Sequence, residues 1–353
     1  MLTFLMAIRP TFGNWHSVDL LNSIDNYLLI TMEEPWRILE EKIDNRPSQI
    51  IKNMKMDEAH LEELVLVFKD IIDDSYTIVG LGGGTACDTA KFFAWYMKKN
   101  YNLDLDLIFI PSIISVDAFL CSSIAVREDN KVKYVGESQP KQILIDYDLI
   151  RTAPKFLNRA GVSDTISITS ALGDWRIARD ENNERFDQDI FNEAKKIAKT
   201  LIKAKDEIRD VSEQGINALV EGFYNEVVLC EKWGNARPEE GSEHFLAYCL
   251  ESITGDNYIH GNLIGMNIII SLYLQEEYAE FSLDQLLNFF KDININLSPE
   301  KQKIEWNDII RALKVIKEYV VKEELHYSIY NSPKLILNDE KIEGVITLLK
   351  KLE

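Results

Sequence analysis

The stretch GLGGGTACDTAK (residues 80–91) decides how the chain is read, because it leaves a buried apolar run and enters a helical one. A strand-to-helix turn of this kind aims free backbone N–H groups at an anion, and the helix dipole adds positive potential at the same place. Three consecutive glycines, Gly82, Gly83 and Gly84, remove every Cβ from the turn and permit positive φ, so a diphosphate can approach the main chain closely. The pattern departs from GxGxxG, since Thr85 stands where the third glycine would be and the turn follows a later strand rather than the first. A tight connection that only needs room for packing fits the same residues. Asp88 and Lys91, three apart on the helix, suit a local ion pair.

Working outward, NYLLIT (26–31), YTIVGLG (76–82), LIFIPS (107–112) and QILID (142–146) read as strands. Between them, residues 36–43, 57–72 and 87–99 read as helices, the second carrying Leu61, Leu64, Val65, Phe68, Ile71 and Ile72 at helical spacing. The opening MLTFLMAI reads as a first strand, since it lacks the basic residues and cleavage site of a leader peptide. This alternation predicts an α/β domain with a parallel sheet over residues 1–150. Beyond Ala153-Pro154 strand-like runs become scarce, and helical patterns with charged faces follow at 187–208 and 298–323. An all-α domain is therefore expected over 151–353, with the boundary near 147–154, where proline disfavours α conformation in the preceding residue.

Composition narrows the function classes. The length of 353 residues allows two domains at about 150 residues each. Hydrophobic residues make up 46% and charged residues 27%, the balance of a globular protein. With 58 Asp+Glu against 39 Lys+Arg, the formal charge of −19 repels phosphate backbones and anionic lipid, so no nucleic-acid partner and no membrane insertion are expected. The longest apolar stretch, 263–274, is interrupted by Asn267 and Ser271 and is far short of the ~20 residues that span a bilayer. Four unevenly spaced cysteines form no disulfide framework, which points to a reducing cytoplasm.

Five blocks in order carry a resemblance: GGGTACDTAK, IPSIISVDAFLCSS, RAGVSDTISITSALGDW, NARPEEGSEHFL and YIHGNLIG. Together they resemble the glycerol-1-phosphate dehydrogenase family, within the wider group of iron- or zinc-dependent alcohol dehydrogenases, glycerol dehydrogenases and dehydroquinate synthases. The resemblance covers roughly half the chain. It implies a nucleotide-binding α/β domain, a helical metal- and substrate-binding domain, NAD or NADP as cofactor, a divalent metal (zinc first, then iron or nickel), a small-molecule substrate and a homo-oligomer. Asp164, His244 and His260 match the family's metal ligands, one carboxylate oxygen and two imidazole nitrogens, although 80 and 16 residues separate them in sequence. Each alone has an ordinary explanation, such as Asp164 capping the helix after Gly161. Gly82, Gly83, Gly84, Thr85, Asp88, Ser112, Ser115 and Cys121 match cofactor-lining positions, and Asp117 matches a substrate-contacting aspartate with a catalytic role.

The chemistry so implied is hydride transfer: a Lewis-acidic cation stabilises negative charge on an alcohol oxygen or polarises a ketone such as dihydroxyacetone phosphate, and the nicotinamide exchanges hydride. Departures are informative. The strand 26–31 runs out through Ile30 and Thr31 into Met32, with acids only at Glu33 and Glu34, where the family usually places an aspartate that reads the adenine ribose, leaving NAD and NADP both open. Cys121 stands where serine is usual. Tyr248 stands where the family usually places a second, substrate-contacting histidine, and its neutrality weakens the case for a phosphorylated substrate. Arg237 and Lys91 are candidate phosphate partners, though surface salt bridges explain either. The alternatives are a glycerol dehydrogenase acting on unphosphorylated substrate, a dehydroquinate-synthase-like lyase, and a non-catalytic member of the family.

Overall fold

The computed structural model describes residues 7–128 and 131–352, so the expected strand at 1–8 falls mostly outside the described residues. The chain divides into two compact units, Met1–Asn158 and Arg159–Glu353.

The first unit carries strands β1 (Thr11–Gly13), β2 (Tyr27–Thr31), β3 (Gln49–Lys52), β4 (Thr77–Gly82), β5 (Asp106–Pro111), β6 (Ser123–Glu128), β7 (Lys131–Glu137) and β8 (Gln142–Asp146). Its helices are α1 (His16–Ser23), α2 (Glu33–Glu40), α3 (Glu58–Phe68), α4 (Gly84–Tyr101) and α5 (Tyr147–Thr152). Six strands form a parallel sheet in the order β1-β8-β5-β4-β2-β3, and β6 and β7 form a separate antiparallel hairpin. On one face Tyr27, Leu29, Val79, Leu81, Ile108 and Ile110 bury against Leu21, Trp36 and Leu39. Each such large side chain removed from water contributes about 1.5–3 kcal/mol.

The strand order fixes where a ligand can sit. β2 and β4 are neighbours, yet the chain leaves β2 toward β3 and leaves β4 toward β5 on the opposite side. Connections that diverge from adjacent parallel strands open a crevice at their C-terminal ends. The glycine turn lies at this switch point.

The second unit is helical: α6 (Lys155–Ala160), which begins before the division, then α7 (Val162–Ile166), α8 (Ile168–Asn182), α9 (Gln188–Lys203), α10 (Lys205–Asp210), α11 (Glu213–Trp233) and α12 (Ser242–Thr254). It continues through α13 (His260–Gln275), α14 (Leu283–Asp292), α15 (Trp306–Lys322) and α16 (Asp339–Lys350). The apolar run at 263–274 is the middle of α13, buried on nearly every side. Among the described residues no helix is long and apolar enough to cross a membrane.

Three expected elements differ. The helix predicted at 36–43 runs from Glu33 to Glu40, because Glu33, Glu34 and Pro35 are good first-turn residues that hydrophobic periodicity ignores. The helix predicted at 187–208 breaks at Ala204, where ψ is 19°, into α9 and α10. The helix predicted at 298–323 begins only at Trp306, since Lys303 adopts a left-handed φ of 61° that ends any helical run. The edge strand β3 and the β6–β7 hairpin escaped the pattern reading; β3 is only four residues long, and the hairpin carries charge along its exposed side.

Candidate functional site

Within the first unit, the turn after β4 is made by backbone. Gly82 alone of the three glycines takes a positive φ, 156°, and a Cβ there would come within 2.7 Å of the Ala86 methyl. Gly83 precedes α4, and its carbonyl accepts from the amides of Ala86 and Cys87. The amides of Gly84 and Thr85 therefore stand at the open start of an 18-residue helix. Gly82 and Pro111 are partners in register, and the Ser112 amide donates to the Gly82 carbonyl at 3.0 Å. The segment after β5 folds over the turn: Ile113 lies 3.0 Å from where a Gly83 Cβ would be, and Val116 lies 3.0 Å from that of Gly84. Ser112, Ser115 and Asp117 thus belong to the same strand-end surface as the glycines. Asp117 Oδ2 accepts from Cys121 Sγ at 2.7 Å. At the end of β2, the Thr31 hydroxyl donates to the Leu81 carbonyl at 2.8 Å, and exposed Glu33 pairs with Lys52 at 2.5 Å.

Asp88 and Lys91 form the expected pair, at 2.6 Å, but it is an interior one. Lys91 is 1% exposed and its ammonium also donates to the carbonyls of Cys121 and Ser123, so all three N–H groups are used, one within α4 and two tying α4 to the segment that leads into β6. Arg237 is likewise fully buried, paired with Glu184 at 3.0 Å and donating to the carbonyls of Asp174 and Tyr327. The expectation of surface salt bridges is corrected: both pairs are interior, Lys91 with its donors used and Arg237 with its Nη1 left without a hydrogen-bond partner among the described residues.

In the second unit the side chains of Asp164 on α7, His244 on α12 and His260 on α13 come together, each offering a ligand atom within 4.8 Å of the others. Nε2 of His260 is 3.2 Å and Nε2 of His244 3.6 Å from the same oxygen, Oδ1 of Asp164. The Asp164 side chain does not cap α7; the residue at that cap is Gly161, and no side chain bonds to the helix start. The approach of α13 depends on Gly261, whose Cβ would stand only 1.8 Å from the Ala160 carbonyl oxygen. A side chain there would push His260 away from Asp164.

The acids gathered at this point favour positive charge, carried by a proton or by a cation in its place. Burial works against ionisation of Asp164, yet hydrogen bonds from His244 and His260 hold its carboxyl well below the usual range. Burial likewise opposes a charged His244, and contacts with Asp164 and Glu243 outweigh it, raising that imidazole well above its ordinary value. An ionised carboxylate facing two imidazole nitrogens is a donor set that divalent zinc or iron accepts. Tyr248, one turn after His244 on α12, places its ring 6.1 Å from the imidazole. His60, by contrast, faces Asn53 at 3.1 Å.

Two residues of this region were not singled out from sequence. Glu243, immediately before His244, is fully buried, with Oε1 3.0 Å from His244 Nδ1. Asp174, also fully buried, accepts from the amides of Ser242 and Ile329, each at 2.7 Å. The available signal was that both acids stand inside otherwise quoted blocks, GDW and GSEH, where no cation is adjacent in sequence.

Comparison with known proteins gives a consistent picture. The iron-containing alcohol dehydrogenase family pattern matches residues 20–154. A glycerol-1-phosphate dehydrogenase [NAD(P)+] of Sulfolobus acidocaldarius is 25% identical over 309 residues, covering 84% of this chain and 85% of that protein. One from Thermoplasma volcanium is 28% identical over 259 residues, 73% of this chain and 70% of the relative. Among solved structures, a probable glycerol dehydrogenase from Sinorhizobium meliloti superposes with a TM-score of 0.71 at 16% identity, covering 97% and 96% of the two chains. An iron-containing alcohol dehydrogenase from Corynebacterium glutamicum gives 0.70 at 16% identity, covering 100% and 97%. At that identity the structural likeness speaks for the fold.

Proposed function

We propose, from the likeness to the iron-containing alcohol dehydrogenase pattern and to glycerol-1-phosphate dehydrogenases, that this chain transfers hydride between NAD or NADP and a small polyol or its phosphate, using a divalent cation held by Asp164, His244 and His260. The observation that carries this reading is the convergence of one carboxylate oxygen and two imidazole nitrogens within 4.8 Å. Three protein donors leave coordination positions open, which distinguishes a catalytic centre from a closed structural one. Zinc is the first assignment; iron and nickel accept the same donors.

The bound cation would supply Lewis acidity, lowering the cost of negative charge on a substrate oxygen, and the nicotinamide would give or take the hydride. What this chain's own groups do follows from their placement. The Gly82–Thr85 backbone and the Ser112–Ser115 segment are the cradle we assign to the dinucleotide phosphates, with the amides of Gly84 and Thr85 as donors. The Asp164 carboxylate and the Nε2 atoms of His260 and His244 would turn together toward the cation, their shared oxygen–nitrogen approach of 3.2 and 3.6 Å marking the point it would occupy. Asp117 is assigned to accept a hydrogen bond from a substrate hydroxyl, and Tyr248 to offer a neutral hydroxyl one turn from His244. The reading includes a homo-oligomer in a reducing cytoplasm, which suits four cysteines that form no disulfide.

A second reading, an unphosphorylated substrate such as glycerol or a related diol, is favoured by one specific finding. Lys91 and Arg237 are both committed to buried pairs, and Tyr248 is neutral. One experiment separates the possibilities: metal analysis of the purified protein, then initial rates with dihydroxyacetone phosphate, dihydroxyacetone and glycerol and both nicotinamides. Turnover that stops on chelation and returns with zinc or iron is expected. Rates indifferent to a chelator would overturn the mechanism, and product formation without net nicotinamide oxidation or reduction would favour the lyase.

A further inference from the structure

The buried carboxylate beneath His244 has no part in the reading so far. Glu243 and His244 are consecutive on a helix, an arrangement in which side chains do not ordinarily face each other. They meet here because Glu243 lies in the first turn of α12 and folds back over the helix start. Its Oε1 accepts from the Gly241 amide at 2.6 Å as well as lying 3.0 Å from His244 Nδ1, and its Oε2 accepts from the Ser170 hydroxyl on α8 at 2.7 Å. One turn further along α8, Asp174 grips the next amide, that of Ser242. Two fully buried acids so close together are costly, and they are held by the amides at the positive end of α12 and by nearby Arg237.

We propose that Glu243 is a positioning residue for the metal centre: it requires the His244 proton on Nδ1 and so commits Nε2 to the cation, with Ser170 fixing the carboxylate in that pose. Both Glu243 oxygens are already acceptors, from the Gly241 amide and the Ser170 hydroxyl, so the ring nitrogen facing Oε1 is the one that donates. The other nitrogen is then the one that faces Asp164 Oδ1 and the shared point of the three ligands. Outer partners of this kind typically change metal affinity by 10–100-fold. The inference rests on the proposed metal centre and deepens it, by naming what makes one of its ligands selective.

The test uses the full chain and zinc itself. Zinc affinity is measured by competition with a chromogenic chelator for wild type, Glu243→Gln and Ser170→Ala. The imidazole N–H proton of His244 is followed by NMR in the zinc-loaded proteins. Glu243→Gln is expected to bind zinc at least about tenfold more weakly and Ser170→Ala about threefold, with circular dichroism and NADH affinity unchanged. The Nδ1–H resonance, downfield in wild type, should move upfield in both. If Glu243→Gln does not fold, Ser170→Ala decides alone. Zinc affinity within twofold of wild type and an unmoved N–H resonance in the folded variants would overturn the role of Glu243 while leaving the metal centre intact. Failure of wild type itself to bind zinc or iron would overturn the metal centre, and this inference with it.

Discussion

Between Gly82 and Thr85 the proposed binding groups are backbone atoms of four consecutive residues, whereas Asp164, His244 and His260 reach their common point from three helices. The first arrangement is specified by local geometry: a strand ends, one glycine takes a φ of 156°, and a helix begins. The second depends on what packs behind it, because a helix that shifts by an ångström carries its histidine with it. Buried polar groups do this work, Glu243 and Ser170 under His244 and Asp174 at the start of α12. A site of contiguous backbone should therefore tolerate changes of pH, and a site of gathered side chains should not.

The sharpest break in this comparison is expected from His260→Ala. It should leave a folded protein with little bound metal and reduce turnover by about a thousandfold, about 4 kcal/mol of transition-state stabilisation, while NADH affinity stays near that of wild type. Metal content and NADH titration on the same preparation check it; full activity without bound metal would refute the mechanism.

The next largest effect concerns pH. Burial, reinforced by the Glu243 charge, pushes Asp174 up from 3.8 to about 6. The native state therefore holds this proton to a higher pH than the unfolded chain does. The group's contribution to stability accordingly falls as pH rises from about 4 to about 6, by roughly 3 kcal/mol. Unfolding of wild type and Asp174→Asn measured in parallel should show the wild type losing ground across that window. A constant difference between the two would mean that the carboxyl titrates normally. NADH affinity should stay flat over the same range, since the turn offers no titrating group of its own.

The smallest effect is expected at the turn. Gly82→Ala forces a side chain into a conformation that L residues rarely adopt, with the Ala86 methyl 2.7 Å from the new Cβ. NADH affinity should fall about tenfold, or 1.4 kcal/mol, with zinc content unchanged. A loss of zinc instead of NADH would show that the two regions are not separable.

Legibility followed the same division. The strands β2, β4, β5 and β8 and helices α3 and α4 were readable from apolar runs and periodicity, because each is buried on a face that its own residues define. Helix ends were less readable: a left-handed Lys303 and the bend at Ala204 are imposed by neighbours that the periodic pattern does not contain. The proposed metal ligands were named through resemblance rather than spacing, and the acids behind them went unnamed. Lys91 shows the limit most plainly. Its pairing with Asp88 follows from positions three apart, yet its burial, and the carbonyls of Cys121 and Ser123 that complete its donors, do not.

What the sequence determined by itself was the α/β half followed by a helical half and the glycine turn between a strand and a helix, since these depend on residues near one another in the chain. Only the tertiary structure decided that Asp164, His244 and His260 share one point and that Glu243 stands beneath it. It also decided that Lys91 and Arg237 pair in the interior. The physical reason is that hydrogen bonds and charge act over a few ångströms of space, and only folding brings groups 80 residues apart within that range.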